Sequence, residues 1–190
     1  MSTEMTIIVS LISVLATGFL GLIGWSLLEW RQNYVVRKTV KIYLIDVLIP
    51  VVKALKDPSE DGDKSLIDKM IDFVDVSKGE SVMKTSYYPL FNSDFFKAFP
   101  ENRLMLAHKK KEKYVALLEV KGYLDGFQGR MPHQVQKNWV DFINDHQQIC
   151  KTNIETCRSV RHETRIYQSN LESSREMAER LMIEINKVIE

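Results

Sequence analysis

The chain has 190 residues, of which 45% are hydrophobic and 27% charged, and its formal net charge is +1. This apolar fraction excludes a generally disordered chain. The counts of 8 Gly, 5 Pro and 2 Cys exclude collagen-like, low-complexity and disulfide-rich small folds. A nearly balanced charge, without a domain-sized basic surface, argues against nucleic acid as a partner.

The amino-terminal segment is the strongest signal. Thr6 to Leu28 contains no charged residue, and a helix of that length spans about 34 Å, which is enough to cross a bilayer. The run is too long for a buried core helix or a signal peptide, and it lacks a basic flank before it and a small-residue cleavage site after it. The sequence therefore predicts that residues 1–30 are a retained, single-pass transmembrane anchor.

Aromatic and basic residues follow the apolar run and predict its orientation. Trp and Tyr favour the headgroup layer, and Lys and Arg within about 15 residues of a span mark its cytoplasmic side. We therefore expect the carboxy-terminal region in the cytoplasm, with the protein in the cell membrane. The predicted membrane-interface residues are Trp25, Trp30, Arg31, Tyr34, Arg37 and Lys38.

The spacing of the two cysteines predicts their redox state. Cys150 and Cys157 are seven residues apart in a helical pattern, which separates them by about 10 Å, too far for a mutual disulfide. Two reduced cysteines fit a reducing compartment.

Small residues recur at every fourth position of the anchor. Ser13, Thr17 and Gly21 form a small-xxx-small ridge, which allows two membrane helices to approach closely. The ridge predicts a transmembrane helix contact, although small residues are also common in such helices without one.

Residues 31–132 have the apolar spacing of a helical bundle. The first predicted helix covers 36–55 and can continue the anchor. Pro50 should kink it, because proline removes an amide donor and clashes with the preceding turn. Further helices are predicted over 66–74 and 101–128.

An aromatic-rich loop is predicted over residues 78–100. Six aromatic residues in this loop supply a large contact area, which is typical of a partner or ligand patch. The alternative is a hydrophobic plug that closes the bundle. These residues are Tyr87, Tyr88, Phe91, Phe95, Phe96 and Phe99.

A basic run lies inside the third predicted helix. Lys109, Lys110, Lys111 and Lys113 are four lysines within five residues. Such a run can contact phosphate on a lipid or a nucleic acid, or it can be a solvated helix face.

Residues 133–190 contain neither Gly nor Pro. A heptad seam can be traced that is apolar at both ends and partly polar in the middle, so the sequence predicts one long, coiled-coil-like helix. The alternative is a helical hairpin that breaks near Ser169 and Asn170, where Ser173 and Glu176 form a capping box. The predicted class is all-α, with an amino-terminal transmembrane helix, a cytoplasmic bundle and this long helix.

The sequence predicts neither a metal site nor a bound cofactor. His162 and Glu163 begin an HExxH pattern, but Ile166 occupies the position of the second histidine. No phosphate-binding loop, CxxC pair or nucleophile elbow is present in the sequence.

One pair of residues suggests a reaction. The spacing Arg103-x4-His108 resembles the Arg-x4–6-His signature of HEPN-type ribonucleases, which are all-helical domains, often from toxin and antiviral systems. The resemblance covers six residues. It implies that Arg103 stabilises phosphate charge and that His108 is a general acid or base.

Two functions follow from these patterns, and the question of enzymatic activity stays open between them. The favoured prediction is a non-enzymatic, membrane-anchored helical scaffold that acts by self-assembly or as a subunit of a membrane complex. Its partners would be the lipid bilayer and a protein, or a second copy in a homo-oligomer. The alternative is a membrane-tethered HEPN-like ribonuclease toxin or antiviral effector that uses Arg103 and His108.

Overall fold

The computed structural model describes residues 3–58, 64–75, 93–127, 130–147 and 157–190. Within these ranges every regular element is helical and no strand occurs. The predicted all-α class is therefore confirmed.

A single long helix connects the apolar segment to the bundle. It comprises α1 (Thr3–Ile42), a π-helical segment (Tyr43–Leu48) and α2 (Ile49–Lys56). Its most apolar 18-residue stretch is not buried at all, and the helix is long and apolar enough to cross a membrane. The predicted continuity between the anchor and the first amphipathic helix is therefore observed.

The π-helical segment lies directly before Pro50. Proline has no amide hydrogen, and its ring would clash with the carbonyl of Asp46 one turn earlier in a regular α-helix. Here the backbone N–H of Ile49 bonds to the carbonyl of Leu44, five residues back, which is the π pattern. The wider turn lets the helix continue past the proline.

The bundle continues with four helices, α3 (Leu66–Phe73), α4 (Asp94–Lys97), α5 (Glu101–Ala107) and α6 (Lys111–Phe127). The single helix predicted over 101–128 is therefore wrong, since the chain turns at residues 108–110. The contacts explain the turn: α5 packs on α1, whereas α6 packs on α8, and one straight helix would not reach both.

The last two helices are α7 (Pro132–Gln147) and α8 (Arg158–Ile189). One uninterrupted helix over 133–190 is ruled out, because the backbone of Cys157 is extended (φ −62°, ψ 120°). The predicted break at Ser169 and Asn170 is also wrong, since α8 passes straight through both residues.

Cys157 corrects a further expectation. It is disulfide-bonded, whereas the spacing of the two cysteines within one helix predicts reduced thiols. The helical separation does not apply, because Cys157 lies outside α8 in extended backbone. The other cysteine, Cys150, lies outside the described residues.

The buried face of α8 coincides with the predicted heptad seam, but it packs within its own chain. Its neighbours are α2, α3 and α6, so this stripe closes the bundle core. A contact near the end of α8 shows its direction in the bundle: Lys41 Nζ of α1 donates to the carbonyl of Ile189 at 3.0 Å. The carboxy-terminal end of α8 therefore lies at the anchor side of the bundle. The buried residues are Val160, Thr164, Leu171, Ser174, Ala178, Leu181, Ile185 and Val188.

Two residues of α8 test this packing. Leu181 is 0% exposed and Ile183 is 55% exposed. We expect Leu181→Ala to lower the free energy of unfolding by about 2–5 kcal/mol, because it leaves a cavity in the core. Ile183→Ala should change it by about 0.5 kcal/mol or less.

The measurement is denaturant unfolding of the full-length protein in detergent, repeated at two protein concentrations. Equal effects of the two substitutions would contradict the packing of α8. An effect of Leu181→Ala that depended on concentration would place this face between two chains.

Candidate functional site

The predicted transmembrane contact lies on an open face of α1. The Oγ1 of Thr17 donates to the carbonyl of Ser13 at 2.8 Å, so its polar group is satisfied within the helix. A Cβ atom added at Gly21 would meet nothing within 4 Å. Ser13, Thr17 and Gly21 are all exposed, so another helix has access to this ridge.

The predicted membrane-interface residues follow along the same helix. The rings of Trp30 and Tyr34 stack with centroids 6.0 Å apart. All six are exposed, so their side chains are accessible to a headgroup layer. They are Trp25, Trp30, Arg31, Tyr34, Arg37 and Lys38.

Arg103 is held against the end of the apolar segment. Its Nη1 lies 3.0 Å from Oε1 of Glu29, and both side chains are partly buried. Glu29 is the first charged residue after the uncharged run. This ion pair therefore fixes α5 beside the point where α1 leaves the apolar stretch.

His108 is buried at the end of α5. It is 4% exposed, and its Nδ1 lies 2.9 Å from the carbonyl of Leu104. Burial lowers the pKa of His108, and the nearby charges of Arg37 and Lys113 lower it further, against the opposing effect of the Leu104 hydrogen bond. The ring is therefore neutral at neutral pH.

The two residues of the ribonuclease-like pair take separate partners. Arg103 contacts Glu29, whereas His108 contacts Leu104 and lines a cavity to which Arg103 does not contribute. The structure of one chain therefore does not bring them to a common phosphate position.

The described half of the aromatic cluster is packed against the π-helical segment. Phe95 stacks on Tyr43 with centroids 3.7 Å apart, and Phe96, only 2% exposed, meets the same ring edge-on. Phe99 packs on Phe95 at 5.4 Å, and burial raises the pKa of Tyr43. Phe96 is buried, and Phe95 and Phe99 are partly buried. Tyr87, Tyr88 and Phe91 lie outside the described residues.

A cavity of about 400 Å³ lies where α1, the turn between α5 and α6, and the end of α8 meet. We call it the basic cavity, because five cationic side chains line it. His108 lies in its wall, and Glu190 is its only acidic lining residue among the described residues. The cations are Arg37, Lys41, Lys109, Lys110 and Lys113.

The charges of the basic cavity are largely uncompensated. Lys41 donates to the carbonyl of Ile189. In the part of the chain that the structure describes, no carboxylate lies at salt-bridge distance from the other four cations. The lysine run is visible in the sequence. Its position beside Arg37 and Lys41 is not, because nothing in the local pattern links residues about 70 positions apart.

The acidic side chains of α3 are arranged differently. Ser65 caps this helix by accepting from the N–H of Asp68 at 3.2 Å, and its hydroxyl donates to the Asp68 carboxylate at 2.6 Å. Arg175 also pairs with Asp68, and Lys64 pairs with Asp72. The hydrogen bond from Ser65 and the charge of Arg175 lower the pKa of Asp68. Among the described residues, no group of three His, Cys, Asp or Glu could hold a metal ion.

Comparison with protein-family models, characterised proteins and solved structures finds no match to this chain.

The buried state of His108 predicts a pH dependence of stability. Because its pKa is lowered in the folded protein, the unfolded chain binds more protons below the ordinary pKa of about 6.5. Stability is then fully present above this pH and is lost as the pH falls towards the lowered pKa. We expect His108→Asn, which keeps a polar group but cannot titrate, to remove this part of the loss.

The test is the free energy of unfolding at about pH 7 and about pH 5. The control is His162→Asn at an exposed position of α8, which should keep the wild-type pH dependence. If His108→Asn lost as much stability on acidification as the wild type, the assignment to His108 would be wrong.

Proposed function

We propose that this chain is a single-pass, membrane-anchored helical protein that acts through protein–protein contacts, by self-assembly or as a subunit of a membrane complex. The observation that carries the proposal is the unbroken helix Ser10–Lys56. Its first part is apolar and uncovered, and its last part supplies core residues of the bundle. A partner bound in the membrane would therefore act directly on the bundle through one helix.

The open ridge of Ser13, Thr17 and Gly21 supports self-assembly as the first form of this proposal. Membrane helices associate by close backbone packing, which requires small residues without obstruction on one face. The uncovered state of Gly21 meets that requirement.

The ribonuclease is the weaker proposal. Transfer of a proton during RNA cleavage needs an accessible histidine with a pKa near the working pH. The burial of His108 and the lowering of its pKa oppose that role. The ion pair with Glu29 also occupies Arg103, which would have to bind phosphate.

We also propose that the carboxy-terminal region faces the cytoplasm. The cations that follow the apolar run support this orientation, because Lys and Arg near a span resist translocation. The disulfide at Cys157 argues for the opposite side, since disulfides persist in oxidising compartments. The flanking charges act during insertion, before the bundle has folded, and therefore set the proposed orientation.

The first test is the native mass and composition of the full-length protein, extracted gently from its host membrane. A particle of several copies, or one with a second polypeptide at fixed stoichiometry, is the expected result. A monomer without any partner would contradict the proposal.

For self-assembly, Gly21→Ile should weaken association about tenfold, because a branched side chain separates the two ridges. Leu15→Phe adds bulk on the opposite, exposed face of α1 and should leave association unchanged. Equal effects would show that this ridge is not the contact.

The orientation is checked with reporter fusions at the carboxy terminus. A cytoplasmic reporter such as green fluorescent protein should be active, and a reporter that needs export, such as alkaline phosphatase, should be inactive. The reverse pattern would refute the proposed orientation and agree with the disulfide.

A further inference from the structure

We propose that the basic cavity is a binding site for a phosphate monoester, carried either by a lipid headgroup or by a soluble molecule. The cavity volume of about 400 Å³ lies in the range of small-molecule sites. Four cations in its lining lack a carboxylate partner among the described residues, and a phosphate dianion supplies the opposite charge in a compact form.

The arrangement differs from a solvated helix face. Arg37 and Lys41 come from α1, while Lys109, Lys110 and Lys113 come from the turn before α6 and its first residues. Folding therefore brings like charges together from segments that are far apart in the sequence, around a concave surface. His108 lies in the cavity wall, and the charges of Arg37 and Lys113 lower its pKa. Like charges that line one cavity repel each other, and a bound anion offsets this repulsion.

Two helix ends meet at the basic cavity. The helix α6 begins at Lys111, directly after the lining residue Lys110, and the positive end of its dipole adds positive potential. The carboxy terminus of α8 has the opposite potential, but Lys41 donates to its Ile189 carbonyl and offsets it. The carboxylate of Glu190 adds a negative charge to the same lining.

The position along α1 indicates which phosphate could reach the cavity from a bilayer. Arg37 is nine residues beyond Leu28, which is about 13 Å along the helix. The headgroup layer adds about 5–8 Å on each side of the hydrocarbon core. A phosphate at the outer end of a projecting headgroup is therefore better placed than the phosphodiester next to the glycerol. A soluble phosphate ester carries the same group.

The probes share this chemistry and differ in their source. Dioctanoyl phosphatidylinositol 4-phosphate carries a projecting monoester on a lipid, and inositol 1,4-bisphosphate carries it without acyl chains. Dioctanoyl phosphatidylglycerol is an anionic lipid with a phosphodiester only. Each is titrated into the full-length protein in a non-ionic detergent, and binding is measured by calorimetry.

We expect the phosphatidylinositol 4-phosphate to bind and the phosphatidylglycerol to bind at least tenfold more weakly. Binding of inositol 1,4-bisphosphate with similar affinity supports a soluble source, and much weaker binding supports a lipid source. No binding of either monoester, or equal binding of phosphatidylglycerol, would overturn the proposal.

The variants test whether the sequence-distant cations act together. Arg37→Gln and Lys113→Gln should each weaken binding about tenfold, because each removes one charged contact. Lys53→Gln is the control, since Lys53 is exposed on the same long helix and lies outside the cavity. Equal weakening by Lys53→Gln would indicate unspecific attraction of charge and refute the site.

Discussion

One long helix has two parts with different surfaces, and the arrangement of the other helices follows from this difference. Its first part is apolar on all sides and uncovered, whereas beyond it only one stripe is buried, with Val40, Leu44 and Leu48 fully inaccessible. A helix that is apolar all round is typical of a membrane span or of a protein core, and a one-sided stripe is typical of a helix that packs on a core along one face. The other helices bury that stripe: α5 packs on α1, and α8 and α3 pack on α2.

The π-helical segment before Pro50 preserves the connection between the two parts. Had the helix ended there, the bundle would be joined to the anchor by a loop and could turn independently of it. Because the helix continues to Lys56, the parts packed on it have fixed positions relative to the apolar stretch. Arg103 on Glu29 places α5 at the end of that stretch, and Lys41 on Ile189 places the end of α8 one step further along.

The charged groups of the bundle form two different arrangements, one of ion pairs and one of clustered cations. Around α3, Asp68 pairs with Arg175 of α8 and Asp72 pairs with Lys64, which directly precedes the cap of α3, so this cluster is part of the scaffold. At the basic cavity, five cations from α1, the turn before α6 and the start of α6 share a lining with one carboxylate, that of Glu190. Uncompensated charge is a cost in folding, and for that reason this end of the bundle is the better candidate for ligand binding.

The sequence by itself determined the all-α class, the apolar helix and the stripe of α8 that is buried, because these depend on local composition and on periods of three and four residues. It did not determine where α8 begins, what its stripe packs against or that α5 and α6 are separate helices. Those features depend on which apolar surfaces pack against one another in the tertiary structure. The basic cavity is of the same kind: each cation is visible in the sequence, but only tertiary packing brings Arg37 and Lys113 to one cavity, since no local period relates residues so far apart.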